Sequence, residues 1–260
     1  MLRIHILGSG DARAGRSRDT TALAVQADDE WTLVDCPGGA VHKLARLGAD
    51  LAALRRLIVT HNHVDHVYGF AHLAHALALS AVHRPALSVH APKETVTTLR
   101  AILQAHGLDA ASARLDLQGV ELQPDVEVAA SRAVRIVASR AAHSRDTLAL
   151  RFEHCGQSVV YASDTGPCES VATLSAGVDL LLHDCAGLHR DLAAFNGQHS
   201  SARQAGEIAA AAGVGELRLI HLTESDKHSD ADLLSEAGQH FGGAVETAAD
   251  GDTYVLSPST

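Results

Sequence analysis

The chain has 260 residues, of which 46% are hydrophobic and 20% are charged, a composition that is typical of a folded globular protein and excludes intrinsic disorder. Its formal net charge of −10 and its aromatic content of 3% argue against a broad basic or base-stacking surface for nucleic acids. Histidine is unusually frequent, with 18 residues, and neutral imidazole is the commonest metal ligand in proteins. The composition therefore directs attention to metal sites.

No Pro/Gly/Ser-rich linker, charge block or internal repeat divides the chain, which predicts a single domain over residues 1–260. The four cysteines are scattered along the sequence and predict no disulfide framework. The first residues lead directly into a strand pattern without the features of a signal peptide, and no segment has the length and apolarity of a membrane span. We therefore predict a cytoplasmic protein that does not enter a membrane.

Apolar runs and turn residues predict the following elements in chain order. Strands are predicted over residues 2–7, 21–26, 31–35 and 56–60, with a helix over residues 39–47 between the last two. Two helices then follow over residues 69–80 and 92–106, and four strands over residues 126–128, 134–138, 147–152 and 158–161. The last predicted elements are a helix over residues 168–176, a strand over 178–182, a helix over 202–212 and a strand over 217–220. Two β-rich halves with interspersed helices predict face-to-face sheets with helices outside, while periodicity alone leaves the topology open.

The strongest motif follows the predicted strand over residues 56–60. It places His61, His63, Asp65 and His66 within six consecutive positions. In an extended chain, His61 and His63 point to the same side, and the turn that follows can bring Asp65 and His66 to the same space. A dense set of nitrogen and oxygen donors suits zinc or a similar divalent ion. The motif therefore predicts a metal site.

The pattern His-x-His-x-Asp-His resembles the signature of the metallo-β-lactamase fold superfamily. This resemblance implies an α+β fold, a four-layer αββα sandwich with two mixed β-sheets packed face to face and helices outside. It also implies further ligands at His143, Asp164 and His221, which lie in the expected order, the last two directly after strand-like stretches. By resemblance, one divalent ion is held by His61, His63 and His143, the other by Asp65, His66 and His221, and Asp164 bridges the two.

Within the superfamily, the chain looks most similar to the ribonuclease Z-like phosphodiesterase branch. The similarity covers almost the whole chain, including the segments Leu7-Gly8-Ser9-Gly10, Val34-Asp35-Cys36, Ser163-Asp164-Thr165 and His199-Ser200-Ser201. One departure is that only 21 positions separate His143 from Asp164, which leaves no room for the long tRNA-binding arm of tRNA-processing members. Together with the acidic net charge, this departure argues against tRNA maturation.

The resemblance implies two divalent ions, zinc first with manganese or iron as alternatives, and a metal-bridging hydroxide that attacks the substrate. Asp65 is predicted to act as a base as well as a ligand. His199 is predicted to be the general acid, with Asp184 orienting and charging its imidazole. Neither a complete dinucleotide-binding fingerprint nor a nucleophilic-serine motif is present in the sequence to support a different chemistry.

These residues predict a binuclear phosphodiesterase that acts on a small-molecule or nucleotide-like substrate. The alternatives are an ester, lactone or arylsulfate hydrolase of the same fold, a tRNA 3′-processing endonuclease, and a non-catalytic metal-binding regulator. Nucleic acid is thus allowed as a partner but not favoured. Homodimerisation is expected only because it is common in this branch.

Overall fold

The computed structural model describes residues 1–13, 15–49, 51–80 and 85–256. Within these ranges the strands are β1 (Leu2–Gly8), β2 (Ala22–Ala27), β3 (Glu30–Val34), β4 (Leu54–Ile58), β5 (Leu87–Pro92), β6 (Leu115–Val120), β7 (Val126–Ala130), β8 (Arg135–Arg140), β9 (Leu148–His154), β10 (Gln157–Tyr161), β11 (Leu180–Asp184), β12 (Glu216–Ile220), β13 (Ala244–Thr247) and β14 (Thr253–Leu256). The α-helices are α1 (Ala40–Arg46), α2 (Val64–Val67), α3 (Phe70–Leu79), α4 (Lys93–Ala105), α5 (Glu169–Leu174), α6 (Ala202–Ala212) and α7 (Asp230–Gly238). Two 3₁₀ segments lie at Asp109–Arg114 and His189–Phe195.

The strands form two sheets of seven strands each. The first sheet has the order β14-β1-β2-β3-β4-β5-β6, and the second has the order β13-β12-β11-β10-β9-β8-β7. Both sheets are mixed. Strands β3, β4, β5 and β6 are parallel to one another, as are β10, β11, β12 and β13, whereas all other neighbouring pairs are antiparallel. In each sheet the parallel strands therefore end at a common edge, where a site can be assembled.

Three separate apolar clusters show how these elements are layered. The first cluster packs helices α1, α3 and α4 against the outer face of the first sheet, the second lies between the sheets, and the third packs α5, α6 and α7 against the second sheet. In β4, Leu57 belongs to the outer cluster and Ile58 to the inner one, because successive strand residues point to opposite faces. The predicted four-layer αββα sandwich is confirmed.

Most predicted elements occur within one or two residues of their expected bounds. Helix α6 has the bounds predicted for it, and its start carries the predicted capping box between Ser201 and Gln204. The sequence did not predict β5, β6, β13, β14, α2 or α7. Of these, β6, β13 and β14 are edge strands; β6 has two buried residues and the four-residue strands β13 and β14 have none, so they lack the buried pattern of a central strand.

The loop that follows β4 contacts the second sheet through the backbone. The amide of Leu148, at the start of β9, donates a hydrogen bond of 3.1 Å to the carbonyl of Thr60. The residue directly before the histidine motif is thereby joined to the opposite sheet. This contact brings the two strand edges together around one site.

All four cysteines are free thiols, as the sequence predicted. Among the described residues, no helix has both the length and the apolarity that a membrane crossing requires.

Candidate metal centre

Every predicted site residue lies at the edge where the parallel strands end. His61 and His63 follow β4, and Asp65 and His66 lie in the short helix α2. In the second sheet, Asp164 lies just beyond β10, Asp184 is the last residue of β11, and His221 directly follows β12. His143 comes from the loop between β8 and β9, and His199 precedes α6. The structure thus brings together side chains that are far apart in the sequence.

Three imidazoles form the first group. The Nδ1 atom of His63 lies 2.9 Å from Nε2 of His61 and 3.1 Å from Nε2 of His143. Asp164 Oδ2 lies 3.7 Å from His61 Nε2 and 3.8 Å from His143 Nε2. These four side chains each offer one ligand atom to a common space.

Asp65, His66 and His221 form the second group. His66 Nε2 lies 3.2 Å from Asp65 Oδ2 and 3.5 Å from Asp164 Oδ1. His221 Nε2 lies 3.3 Å from Asp164 Oδ2. Asp164 therefore lies close to both groups, which is the position that the family resemblance implies for a bridging carboxylate.

Several buried polar atoms of the second group and of Asp164 have no hydrogen-bond partner within the described chain. They include Nε2 of His66, Nε2 of His221 and Oδ1 of Asp164. A buried polar atom without a partner is costly, so such atoms usually indicate a ligand that the protein is built to hold. A set of imidazole nitrogens and carboxylate oxygens is the chemistry that binds zinc and related divalent ions. The residues present therefore fit a metal centre.

The two groups differ in how their imidazoles are charged. Burial lowers the pKa of His61 well below its ordinary value, and it also lowers the pKa of His63 and of His143. At His66, burial is opposed by the charges of Asp35 and Asp164, which raise its pKa well above the ordinary value. At His221, Asp164 and Asp184 likewise outweigh burial and raise the pKa to about 9. The first group thus presents neutral imidazoles, whereas the field at the second group favours positive charge.

Contacts on the far side of each ring orient these imidazoles. His66 Nδ1 donates to Asp35 Oδ2 at 2.8 Å, and His143 Nδ1 donates to the carbonyl oxygen of Gln198 at 2.9 Å. The hydroxyl of Thr60 lies 3.1 Å from Nδ1 of His61. In all three rings the Nδ1 contact leaves Nε2 directed at the cluster, as is usual for histidines that bind metals.

Asp35 is a residue for which the sequence predicted no role beyond its part in the family resemblance. It is fully buried, follows β3, and accepts a hydrogen bond of 2.7 Å from the backbone amide of Thr60 as well as the one from His66. The available signal was a buried strand that ends on a carboxylate beside the strand carrying the metal motif. Such a residue can be found once β3 and β4 are known to be neighbours.

Three residues at this edge have a left-handed backbone, with φ of 61° at Asp35, 58° at Ser163 and 59° at His221. This conformation is uncommon for residues other than glycine and concentrates at functional sites. Here it turns the chain sharply at the strand end. The turn places the Asp35 and His221 side chains, and the residue after Ser163, beside the cluster.

His199 and Asp184 form a pair next to the two groups. His199 Nδ1 lies 2.9 Å from Oδ2 of the fully buried Asp184, while Oδ1 of the same carboxylate lies 3.4 Å from Nδ1 of His221. Burial alone would lower the pKa of His199, but the hydrogen bond and charge of Asp184 raise it above the ordinary value. His199 also lies close enough to Asp164 and His221 to share a ligand with them.

A cavity of about 440 Å³ opens beside this pair, and His199 and His221 are among its lining residues. Its volume is in the range of pockets that bind small molecules. Substrate can therefore approach the cluster from the side on which His199 lies.

Residues 30–222 match the model of the beta-lactamase superfamily domain. The chain belongs to this superfamily. A curated relative, ribonuclease Z from Mycobacterium bovis (strain BCG / Pasteur 1173P2), is 30% identical over an alignment that covers 96% of each chain. The resemblance inferred from the motifs is thereby confirmed, and the superfamily member described here is a hydrolase of the metallo-β-lactamase fold.

Solved structures of the superfamily agree with the fold. The metallo-β-lactamase fold protein YhfI from Bacillus subtilis has a TM-score of 0.81 and 25% identity, with 97% of this chain and 98% of that one covered. A diphosphatase from the PhnP family has a TM-score of 0.76 and 17% identity, covering 99% of this chain and 98% of that one. The second likeness shows the fold alone.

Proposed function

We propose that the chain is a binuclear metal-dependent phosphodiesterase of small or nucleotide-like substrates. The observation that carries this proposal is the His199–Asp184 pair, 2.9 Å apart, beside two groups of metal-competent side chains. An alkoxide leaves phosphorus poorly unless it is protonated, so a phosphodiesterase needs an acid next to its electrophilic centre. His199 supplies that acid, because the buried carboxylate of Asp184 keeps its pKa above the ordinary value.

The ligands are proposed to be His61, His63 and His143 for one ion, Asp65, His66 and His221 for the other, and Asp164 for both. Zinc is the expected metal, with manganese or iron as alternatives. When bound, such a pair of ions activates water at neutral pH and neutralises charge that develops on the phosphoryl oxygens.

Asp65 is proposed to take the proton from the attacking water at its carboxylate. Burial would raise the pKa of Asp65, but His66 outweighs burial and holds the pKa below the ordinary value, so the group is available as an anion. His199 gives up the proton on its Nε2 to the leaving oxygen, while Asp184 holds Nδ1 and stabilises the imidazolium. Asp184 thus positions His199, and Asp35 positions His66, each through a hydrogen bond from Nδ1 of the imidazole.

A second candidate function is cleavage of RNA. It is favoured by the relative named ribonuclease Z, which matches 96% of this chain. The net charge of −10 and the short β9–β10 connection favour a small substrate instead. One structural neighbour is described as a diphosphatase, which is compatible with a small substrate for this chain. Cytoplasmic location and homodimerisation stay predictions from the sequence.

Elemental analysis and a substrate panel test the proposal. Protein purified without chelators should hold about two divalent ions per chain, because seven ligands exceed the four that a closed single zinc site needs. The panel contains a chromogenic phosphodiester, a phosphomonoester, a lactone, an arylsulfate and a precursor RNA. We expect the diester to be hydrolysed fastest, with unchanged metal content and turnover in the matched surface variant His75→Ala. One ion or none, or preference for the lactone or sulfate, would contradict the proposal.

A further inference from the structure

The cavity beside the metal centre contains more than the two histidines already described. Its lining includes Lys227, His228 and Phe195, which belong to neither ligand group. On the basis of the proposed phosphodiesterase function, we infer that this cavity binds the leaving group of the substrate. We further infer that Lys227 holds a second phosphate carried by that leaving group.

The placement of His199 decides which part of the substrate enters the cavity. In the hydrolysis, a P–O bond forms to water, whose proton goes to Asp65, and the P–O bond to the leaving alcohol breaks as His199 protonates the departing oxygen. The departing alcohol must therefore lie against His199. Because His199 lines the cavity, the cavity is where the rest of that alcohol fits.

Three carboxylates also line the cavity, and each lies beside donor groups or positive charges of the protein. Asp11 accepts hydrogen bonds from Arg13 Nε at 3.0 Å and from the hydroxyl of Thr223 at 2.6 Å. Asp191 lies 3.9 Å from Nε of the neighbouring Arg190. Each of these two carboxylates thus has an arginine beside it, which offsets part of the negative charge that an anion in the cavity would meet.

The third carboxylate, Glu224, binds the loop that contains Arg16 and Ser17. It accepts hydrogen bonds from the Ser17 amide at 2.8 Å, the Ser17 hydroxyl at 2.6 Å and the Arg16 amide at 3.0 Å. These donors hold the pKa of Glu224 at about 2, so it stays ionised and engaged at all working pH values.

The ammonium group of Lys227, in contrast, has no hydrogen-bond or ion-pair partner within the part of the chain that the structure describes. The backbone that carries it is held on both sides. Its amide donates to Ser225 Oγ at 3.1 Å, and its carbonyl accepts a hydrogen bond of 2.9 Å from Arg190. A fixed backbone with a free lysine head is suited to bind phosphate as a point charge.

Gly187 lies close to the side chains of two other cavity residues, His228 and Phe195. A Cβ atom at Gly187, three residues after Asp184, would lie 3.3 Å from both Nε2 of His228 and Cζ of Phe195. The residue next to Lys227 and the ring of Phe195 therefore border the same part of the cavity. The half-buried ring of Phe195, which lines the same cavity as His199 and Lys227, offers an apolar surface for the carbon skeleton of the leaving group.

Kinetics on two matched substrates test this assignment. The substrates are thymidylyl-thymidine and the same dinucleotide with a 3′-phosphate on the departing thymidine. We expect KM to be about tenfold lower for the phosphorylated substrate, the usual effect of one charged hydrogen bond at a partly exposed site. Lys227→Gln should reduce this ratio to about one, whereas Lys93→Gln, whose lysine pairs with Glu121 outside the cavity, should keep it. An unchanged ratio in Lys227→Gln would overturn the assignment.

Calorimetric binding of thymidine 3′-phosphate to the metal-free protein separates this inference from the proposed function. We expect Lys227→Gln to weaken binding about tenfold relative to wild type and to Lys93→Gln. Binding that depends on Lys227 in a protein that hydrolyses no diester would support the phosphate site and contradict the phosphodiesterase. Diester hydrolysis with equal phosphate binding by all three proteins would support the phosphodiesterase and contradict the phosphate site.

Discussion

The first and second ligand groups differ in origin and in electrostatics. The first contains three imidazoles whose pKa values are lowered by burial, and the nearest carboxylate to them is Asp164. The second contains Asp65 and two imidazoles whose outer nitrogens face Asp35 and Asp184. Asp35 and Asp164 raise the pKa of His66 well above its ordinary value, and Asp164 and Asp184 raise that of His221 to about 9.

The difference indicates that one protein can prepare two adjacent cation sites by different means. Neutral imidazoles need no proton removed before they bind an ion, whereas carboxylates behind an imidazole increase its strength as a ligand. We therefore expect the second group to hold its ion more tightly only above about pH 9, the pKa of His221, where protons compete less for its imidazoles. The following predictions test this contrast, from the largest expected effect to the smallest.

Asp164→Ala should have the largest effect, because the Asp164 carboxylate lies 3.3–3.8 Å from imidazole nitrogens of both groups. Its removal leaves two close cations without their shared anion. We expect loss of both ions, loss of turnover and a lower melting temperature, measured by elemental analysis, diester hydrolysis and calorimetry. Near-normal metal content and activity would show that Asp164 is a turn residue.

His143→Ala and His221→Ala should separate the two groups. Each variant removes one ligand from a different group, so each should lower the metal content by about one ion per chain while the other site stays filled. If the second group binds more tightly, a chelator should remove the remaining ion more slowly from His143→Ala than from His221→Ala. Equal chelation rates would contradict the proposed contrast, and loss of both ions from each variant would show that the groups bind only together.

His199→Ala should reduce the rate by about 10²–10⁴-fold, the usual contribution of a general acid. The loss should be smaller for p-nitrophenyl diesters, because p-nitrophenolate departs without a proton, and larger for nucleoside diesters. Metal content should stay at the wild-type value. An equal loss for both substrate types would show that His199 is not the general acid. A loss of metal would instead identify His199 as a ligand, a role that its distance to Asp164 and His221 allows.

Asp184→Asn should give a weaker version of the same pattern, with a change in pH dependence. The imidazolium form of His199 is the acid, so activity is lost as the pH rises through the pKa of His199. Since Asp184 raises that pKa, its neutralisation should move the alkaline limb of the pH–rate profile to lower pH. The 3.4 Å approach of Asp184 to His221 also predicts about 10–100-fold weaker binding of the second ion. An unmoved alkaline limb would show that another group controls it.

The sequence by itself determined the family, because the segment from His61 to His66 is continuous and its spacing is recognisable. The resemblance to that family then supplied the other candidate site residues. The sequence also predicted most central strands and helix α6, since buried strands and capped helices have strong local patterns. The edge strands β13 and β14, in which no residue is buried, escaped prediction because four residues are too few to show a reliable strand periodicity.

Tertiary structure alone decided what surrounds those ligands. Asp35 contacts His66 because β3 and β4 are parallel neighbours, and the carboxylate of Asp184 reaches both His199 and His221 because β11 and β12 end side by side. No local pattern specifies such contacts, since they join residues that the strand order, rather than sequence distance, makes adjacent. The opposite pKa shifts of the two ligand groups arise from the same packing, because burial and neighbouring charges exist only once both sheet edges meet.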